Sequence, residues 1–175
     1  GREIILHLPM EPHNYPTENP GAGALFTSMD ENEINRQLIG DIKAVPYAVG
    51  INNHMGSKYM ENEKFLSIIF KTVKKRGLFF VDSRTTSKTK GKILADKIGV
   101  DFAARDVFID NEQSFDATYK ILVKTSVNFQ NGEQQILIGH PYPSTIKALM
   151  AAVPVFKEKG IVIVPVSQLV KKAKS

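Results

Sequence analysis

Apolar residues fall along this chain in two alternating rhythms: short unbroken runs, and longer stretches with apolar positions three or four residues apart. The unbroken runs at 3–8 (EIILHL), 47–51 (YAVGI), 78–81 (LFFV), 107–109 (VFI), 135–139 (QILIG) and 161–166 (IVIVPV) suit strands. Continuous rather than alternating apolar runs belong to strands buried on both faces. Between the runs the helical period takes over. Ile34, Leu38, Ile42 and Val45 follow N-cap candidates at Ser28 and Asp30. Phe65, Ile68, Ile69 and Val73 mark a helix over 61–76, stopped by Gly77. Further helices are expected over 88–98, over 115–129 with Leu122 and Ser126 inward, and over 143–159 with Pro154 inside. A Pro- and Gly-rich loop follows the first strand, and Asn131-Gly132 reads as a turn.

Strand–helix alternation of this kind predicts an α/β fold, a mainly parallel sheet covered by helices. An open doubly wound sheet usually carries a glycine-rich phosphate turn after its first strand. Here that position holds HLPMEP (7–12), without glycine. The expected architecture is therefore a distorted or incomplete (β/α) barrel, one domain over 1–175. A strand at the opening residues leads us to expect N-terminal truncation, with one or more strands upstream.

Composition narrows the class. The 175 residues are 42% apolar and 23% charged, ordinary for a globular domain. The net charge is +5, but Lys71, Lys74, Lys75 and Arg76 close a helix and Lys171, Lys172 and Lys174 form a tail. No aromatic residues interleave with them to stack bases, so nucleic acid is not an expected partner. The absence of cysteine excludes disulfides and thiolate metal sites. No apolar run approaches the roughly 20 residues of a membrane span, and no signal peptide is visible.

Candidate chemistry gathers where the strands end: His7; Asn52, Asn53 and His54; Asp82, Ser83 and Arg84; Asp110 and Asn111; His140; and Ser167. In parallel β/α folds these ends share the face on which active sites are built. Three of the four histidines fall there. His7, Glu11, His54 and His140, with Asp82, form a nitrogen and oxygen donor set that suits zinc or another divalent transition metal better than calcium or magnesium. Plainer roles compete. Asp82 can cap the helix after 86 with Arg84 as its exposed partner, Asp110 and Asn111 read as caps, Asn52 and Asn53 can shape their loop, and His13 reads as surface. No G-x-S-x-G elbow is present, and neither Ser57 nor Ser83 has an assigned base.

Seven stretches carry a resemblance: ILHLPMEP (5–12), PGAGAL (20–25), AVGINNHMGS (48–57), RGLFFVDSRTT (76–86), RDVFIDNEQ (105–113), IGHPYPSTI (138–146) and IVIVPVSQLV (161–170). In them the chain resembles the divergent polysaccharide deacetylases of bacteria, distant relatives of the metal-dependent polysaccharide deacetylases. The resemblance implies a distorted β/α barrel, a divalent metal with zinc first, and hydrolysis of N-acetyl groups on a cell-envelope glycan outside the cytoplasm. His7 and Glu11 match a metal-binding H-x-x-x-H motif whose second histidine is replaced. His54 stands where the ordinary enzymes grip substrate and is expected as a replacement ligand, with Asn53 and Ser83 as substrate contacts. His140 matches the general acid, and Asp82 and Arg84 match residues that orient the catalytic base. The paired aspartates that open the family's pattern, one a ligand and one the base, are not in these residues. The competing readings are a catalytically weak glycan-binding or envelope-regulatory protein, and a metal hydrolase of peptides or phosphoesters.

Overall fold

The structure is a computed structural model that describes residues 2–127, 129 and 133–173; the expected Asn131-Gly132 turn lies outside the described residues. The chain divides into two compact units, Gly1–Ala104 with Val170–Ser175, and Arg105–Leu169.

In the first unit the order is β1 (Ile4–Met10), α1 (Glu31–Ala44), β2 (Ala48–Met55), a 3₁₀ turn (Tyr59–Glu61), α2 (Glu63–Lys75), β3 (Phe79–Asp82), α3 (Gly91–Ile98) and β4 (Phe102–Ala104). The four strands pair in the order β1-β2-β3-β4, all parallel. Local signals set the helix limits. Asp30 accepts the Glu33 N–H while the Glu33 side chain accepts the Asp30 N–H, a capping box that starts α1. Asn62 caps α2, whose last turn carries Lys74 and Lys75 against the negative end of the helix dipole.

The parallel register lines up Leu6, Ile51, Phe80 and Phe102 as one row across the sheet. All four are buried in one core with Ile34 and Leu38 of α1, Leu66, Ile69 and Phe70 of α2, and Leu94 of α3. Phe70 packs on Phe80 at 5.0 Å between centroids, and Phe80 stacks near-parallel on Phe102 at 6.3 Å. Strand β4 escaped the sequence pattern because three residues are too few to establish a period. It is held instead by β3 and by paired 3.0 Å backbone bonds between Phe102 and Lys171.

The second unit comprises β5 (Val107–Phe108), α4 (Phe115–Val127), β6 (Leu137–Ile138) and α5 (Pro143–Glu158). Strands β5 and β6 run parallel, and Ile109, Leu122, Ala148, Ala152 and Phe156 form a separate core. The expected last strand is not formed. Residues 161–165 carry no ladder, Val162 and Ile163 are 77% and 65% exposed, and Val166–Gln168 is a 3₁₀ turn. An apolar run becomes a strand only where a neighbouring backbone offers the hydrogen bonds, and among the described residues none does. The α/β class and parallel pairing are as the alternation predicts. The described strands form a four-stranded and a two-stranded sheet, with no closed ring.

The row through Phe80 yields a stability test. Phe80→Ala removes a fully buried ring between two others and should lower the unfolding free energy by about 3–5 kcal/mol in urea titrations. A loss under ~1 kcal/mol would mean that the core is not packed around this residue.

Candidate functional site

Strand alternation sends Leu6, Leu8 and Met10 toward the helices, so His7 lies on the opposite face of the sheet. His7 pairs in register with Asn52, and Pro9 with His54, which places His54 two positions further along on the same face. There His7 Nε2 and His54 Nδ1 stand 3.0 Å apart, with ring centroids 4.8 Å apart and planes 61° apart. The apolar runs end the first two strands at Leu8 and Ile51. In fact β1 continues to Met10 and β2 to Met55, so His7, Asn52, Asn53 and His54 are all strand residues. The added length matters, because only within a regular ladder does register fix which side chains meet.

Glu11 goes elsewhere. Its Oε2 accepts the Thr27 N–H at 2.7 Å and the Thr27 hydroxyl at 2.6 Å, and its Oε1 accepts Lys58 at 2.7 Å. Burial pushes the Glu11 carboxyl up, but the bonds from Lys58 and Thr27 together outweigh it and hold the pKa below its usual value. The residue is 7% exposed and ties the end of β1 to the Pro- and Gly-rich loop and to the turn before α2. Among the described residues no group of three His, Cys, Asp or Glu side chains is arranged to hold a metal. His7 and His54 meet; Glu11 does not join them in such a group.

Asp82 shares the parity of Phe80 and turns to the helix-covered face. Its Oδ1 accepts the Arg84 N–H at 2.7 Å and its Oδ2 the Thr89 hydroxyl at 2.7 Å. A Cβ on Gly91 would stand 2.7 Å from Asp82 Oδ2, so glycine at the start of α3 makes room for the carboxylate. These contacts are those of a residue that shapes the turn into α3, the plainer of its two expected roles. Arg84 is exposed and has φ 51°, and Met55 at the end of β2 has φ 52°. Such left-handed backbone at non-glycine residues stores strain at the rim of the strands.

Asn53 and Ser83, expected as substrate contacts, are 1% and 6% exposed. Asn53 Oδ1 accepts the Ser83 N–H at 2.8 Å, the Ser83 hydroxyl donates to the Asn53 carbonyl at 2.8 Å, and Asn53 Nδ2 donates to the Met55 carbonyl at 2.8 Å. Asn52 Nδ2 reaches the Ser83 hydroxyl at 3.3 Å. The set bolts the ends of β2 and β3 together. His13 is exposed, as expected, yet tethered: its ring meets Glu61 at 3.2 Å and its N–H donates to Ser57 Oγ at 3.0 Å.

In the second unit His140 follows β6 and Asp110 follows β5. Asp110 Oδ2 accepts the His140 N–H at 2.5 Å and the Thr145 hydroxyl at 2.9 Å, while its Oδ1 faces His140 Nδ1 at 3.2 Å. The Asp110 side chain is fully buried and that of His140 is 42% exposed. Phe108 and Tyr142 flank the imidazole at 5.5 and 5.1 Å between centroids. A buried carboxylate on Nδ1 of a half-open imidazole orients the ring and leaves Nε2 for proton transfer. The linear pattern alone makes Asp110 a helix-cap candidate, because a loop and helix follow it. Its place at the end of VFI, matching Asp82 after LFFV, was the available signal.

The chain matches the sequence pattern of divergent polysaccharide deacetylases over residues 1–170. It belongs to the divergent polysaccharide deacetylase family. It is 35% identical over 156 residues to the uncharacterized protein YibQ of Escherichia coli K12, covering 87% of this chain and 47% of YibQ. It is 31% identical over 152 residues to an uncharacterized protein of Haemophilus influenzae Rd, covering 86% of this chain and 53% of that protein. The chain thus spans about half the length of these curated relatives. The crystal structure of an uncharacterized protein from Agrobacterium tumefaciens C58 superposes with a TM-score of 0.89 at 26% identity, covering 97% of this chain and 69% of that one. This divergent deacetylase fold is therefore retained where about three residues in four differ.

The Glu11 cluster predicts an acid response. Because its folded pKa is lowered, the unfolded chain takes up the proton first as pH falls. The stabilisation is complete well above the unfolded Glu value of about 4.3 and is lost as pH drops through the lowered folded value. The difference in urea midpoint between wild type and Glu11→Gln should be constant near neutrality and shrink below about pH 5. A difference that stays constant throughout the acid range would show that the carboxylate charge contributes nothing. Glu61 and Asp101, also lowered, are common to both proteins and cancel.

Proposed function

We propose that these residues form part of a metal-dependent hydrolase that removes acetyl groups from an N-acetylated polysaccharide of the cell envelope, outside the cytoplasm. The observation that carries the reading is the convergence of His7 Nε2 and His54 Nδ1 at 3.0 Å on one face of a parallel sheet. If a zinc-class ion is bound here, His7 and His54 would hold it through these two nitrogens. Imidazole donors without thiolate suit zinc, copper, iron and nickel, and zinc is the metal proposed first. Glu11 is engaged by Lys58 and Thr27, so within this chain the metal assignment rests on the two imidazoles. When bound, the ion supplies Lewis-acid activation of the acetamide carbonyl and of water.

The remaining work falls to side chains of this chain. Hydrolysis breaks the C–N bond, forms a C–O bond to water and needs a proton on the departing amine nitrogen. His140 is the donor in this reading: Asp110 holds its Nδ1, and Nε2 carries the transferable proton. The buried Asn53–Ser83 lattice keeps the strand end that bears His54 from shifting, which preserves the spacing to His7. A glycan-binding protein without turnover is the second reading. It is favoured by the ion-paired Glu11 at the position of the second motif histidine.

Metal content and acetate release, measured on the full-length protein and its variants, separate the readings. Zinc should copurify, and acetate should be released from chitin- or peptidoglycan-type substrates. His7→Ala should lose both metal and activity. His140→Ala should keep the metal and lose roughly 10²–10⁴-fold in rate. Metal-loaded protein that releases no acetate from either substrate type supports the binding reading, and metal bound undiminished in the His7→Ala, His54→Ala double variant rejects the assigned ligands.

A further inference from the structure

We infer that Thr145 is a positioning residue for His140: by holding one oxygen of Asp110 it dictates which imidazole nitrogen carries the proton. The inference rests on the proposed proton-donor role of His140. A carboxylate has two oxygens and only accepts hydrogen bonds. Oδ2 of Asp110 receives two donors from different elements, the His140 backbone N–H after β6 at 2.5 Å and the Thr145 hydroxyl in the first turn of α5 at 2.9 Å. Those two bonds fix the plane of a fully buried carboxylate and leave Oδ1 facing His140 Nδ1 at 3.2 Å.

An oxygen that can only accept requires Nδ1 to be the donor. The neutral ring is then the Nδ1–H tautomer with a lone pair on Nε2, and the charged ring offers its second proton from Nε2. Thr145 is itself 2% exposed, so its hydroxyl has little water to turn to. Gly139 completes the arrangement. A Cβ there would lie 2.6 Å from Ile109 Cγ1 and 3.2 Å from Asp110 Oδ2, so only glycine lets the end of β5 approach the His140 amide this closely. Phe108 and Tyr142 flank the ring and fill space, and the direction of the proton is left to the carboxylate. The plain alternative is that Thr145 merely satisfies its own hydroxyl within the first turn of a helix. That role would leave the imidazole tautomer untouched by its removal.

The test is nitrogen-15 NMR of the histidine rings in full-length protein labelled at histidine, with His140 assigned by its Ala variant. Wild type should show an Nδ1–H neutral ring for His140 and a Nδ1 proton protected from exchange. Thr145→Val keeps shape but removes the donor; it should lose the protected proton and shift the ring to a mixture containing Nε2–H. Thr145→Ala should do the same, and Thr145→Ser, which restores the hydroxyl, should return the wild-type pattern. Acetate release should follow, with kcat lowered roughly tenfold in Thr145→Val at unchanged KM and recovered in Thr145→Ser. A folded Thr145→Val or Thr145→Ala protein with the wild-type tautomer overturns the inference. Because the NMR readout needs no turnover, lack of acetate release would count against the deacetylase reading alone.

Discussion

The parallel ladder between β1 and β2 is the constraint on which the first unit depends. Parallel strands cannot be joined by a tight turn, so the chain must cross over, and α1 makes that crossing while covering one face of the pair. Once one face is buried under helices, a shift of one residue in register would exchange Leu6, Leu8 and Met10 for Ile5, His7 and Pro9. The hydrophobic cost of that exchange fixes the register. The fixed register then brings His7 within reach of His54, 47 residues away in sequence. The candidate metal ligands meet as a consequence of how Leu6, Ile51, Phe80 and Phe102 are buried on the other side.

Polar groups at the strand ends follow one rule throughout: each buried oxygen or nitrogen discussed above is bonded to a neighbouring element. Glu11 is held by Lys58 and Thr27, Asn53 by Ser83, Asp82 by Thr89 and the turn at Arg84, and Asp110 by Thr145 and the His140 amide. Unmade, such bonds would each cost on the order of 1–3 kcal/mol in the interior. Made, they leave the strand ends little freedom. Rigidity of this kind suits a site that must hold reacting groups to a fraction of an ångström. The left-handed backbone at Met55 and Arg84 fits the same picture, since strain persists only where the surroundings over-determine it.

Family membership and the close superposition on the Agrobacterium tumefaciens protein concern the scaffold. Chemistry lives in particular side chains, and here two of them depart from the simplest expectation. The second motif position carries an ion-paired glutamate, and the first histidine finds its partner on the adjacent strand instead. Glu11 braces Thr27 and Lys58, while the ladder brings His54 beside His7. The Asp110–His140 pair needs no such rearrangement, because both residues leave neighbouring parallel strands that end level with each other.

Much of this was legible in the linear pattern. Continuous apolar runs alternating with helical periods determine a parallel α/β sheet, because strands buried on both faces and helices with one apolar stripe have few other ways to bury themselves. Capping signals such as Asp30 with Glu33 are local and equally readable. The resemblance in short motifs also pointed to His7, His54 and His140 as the residues to watch. What the sequence could not determine depends on partners distant along the chain. Phe102–Ala104 becomes a strand because β3 and Lys171 bond to it, and 161–165 stays outside any sheet because no strand among the described residues pairs with it. Glu11 and Asp110 are the clearest cases. A carboxylate after a strand reads alike whether it binds a metal, caps a helix or orients a histidine, and only the tertiary contacts of its two oxygens decide which.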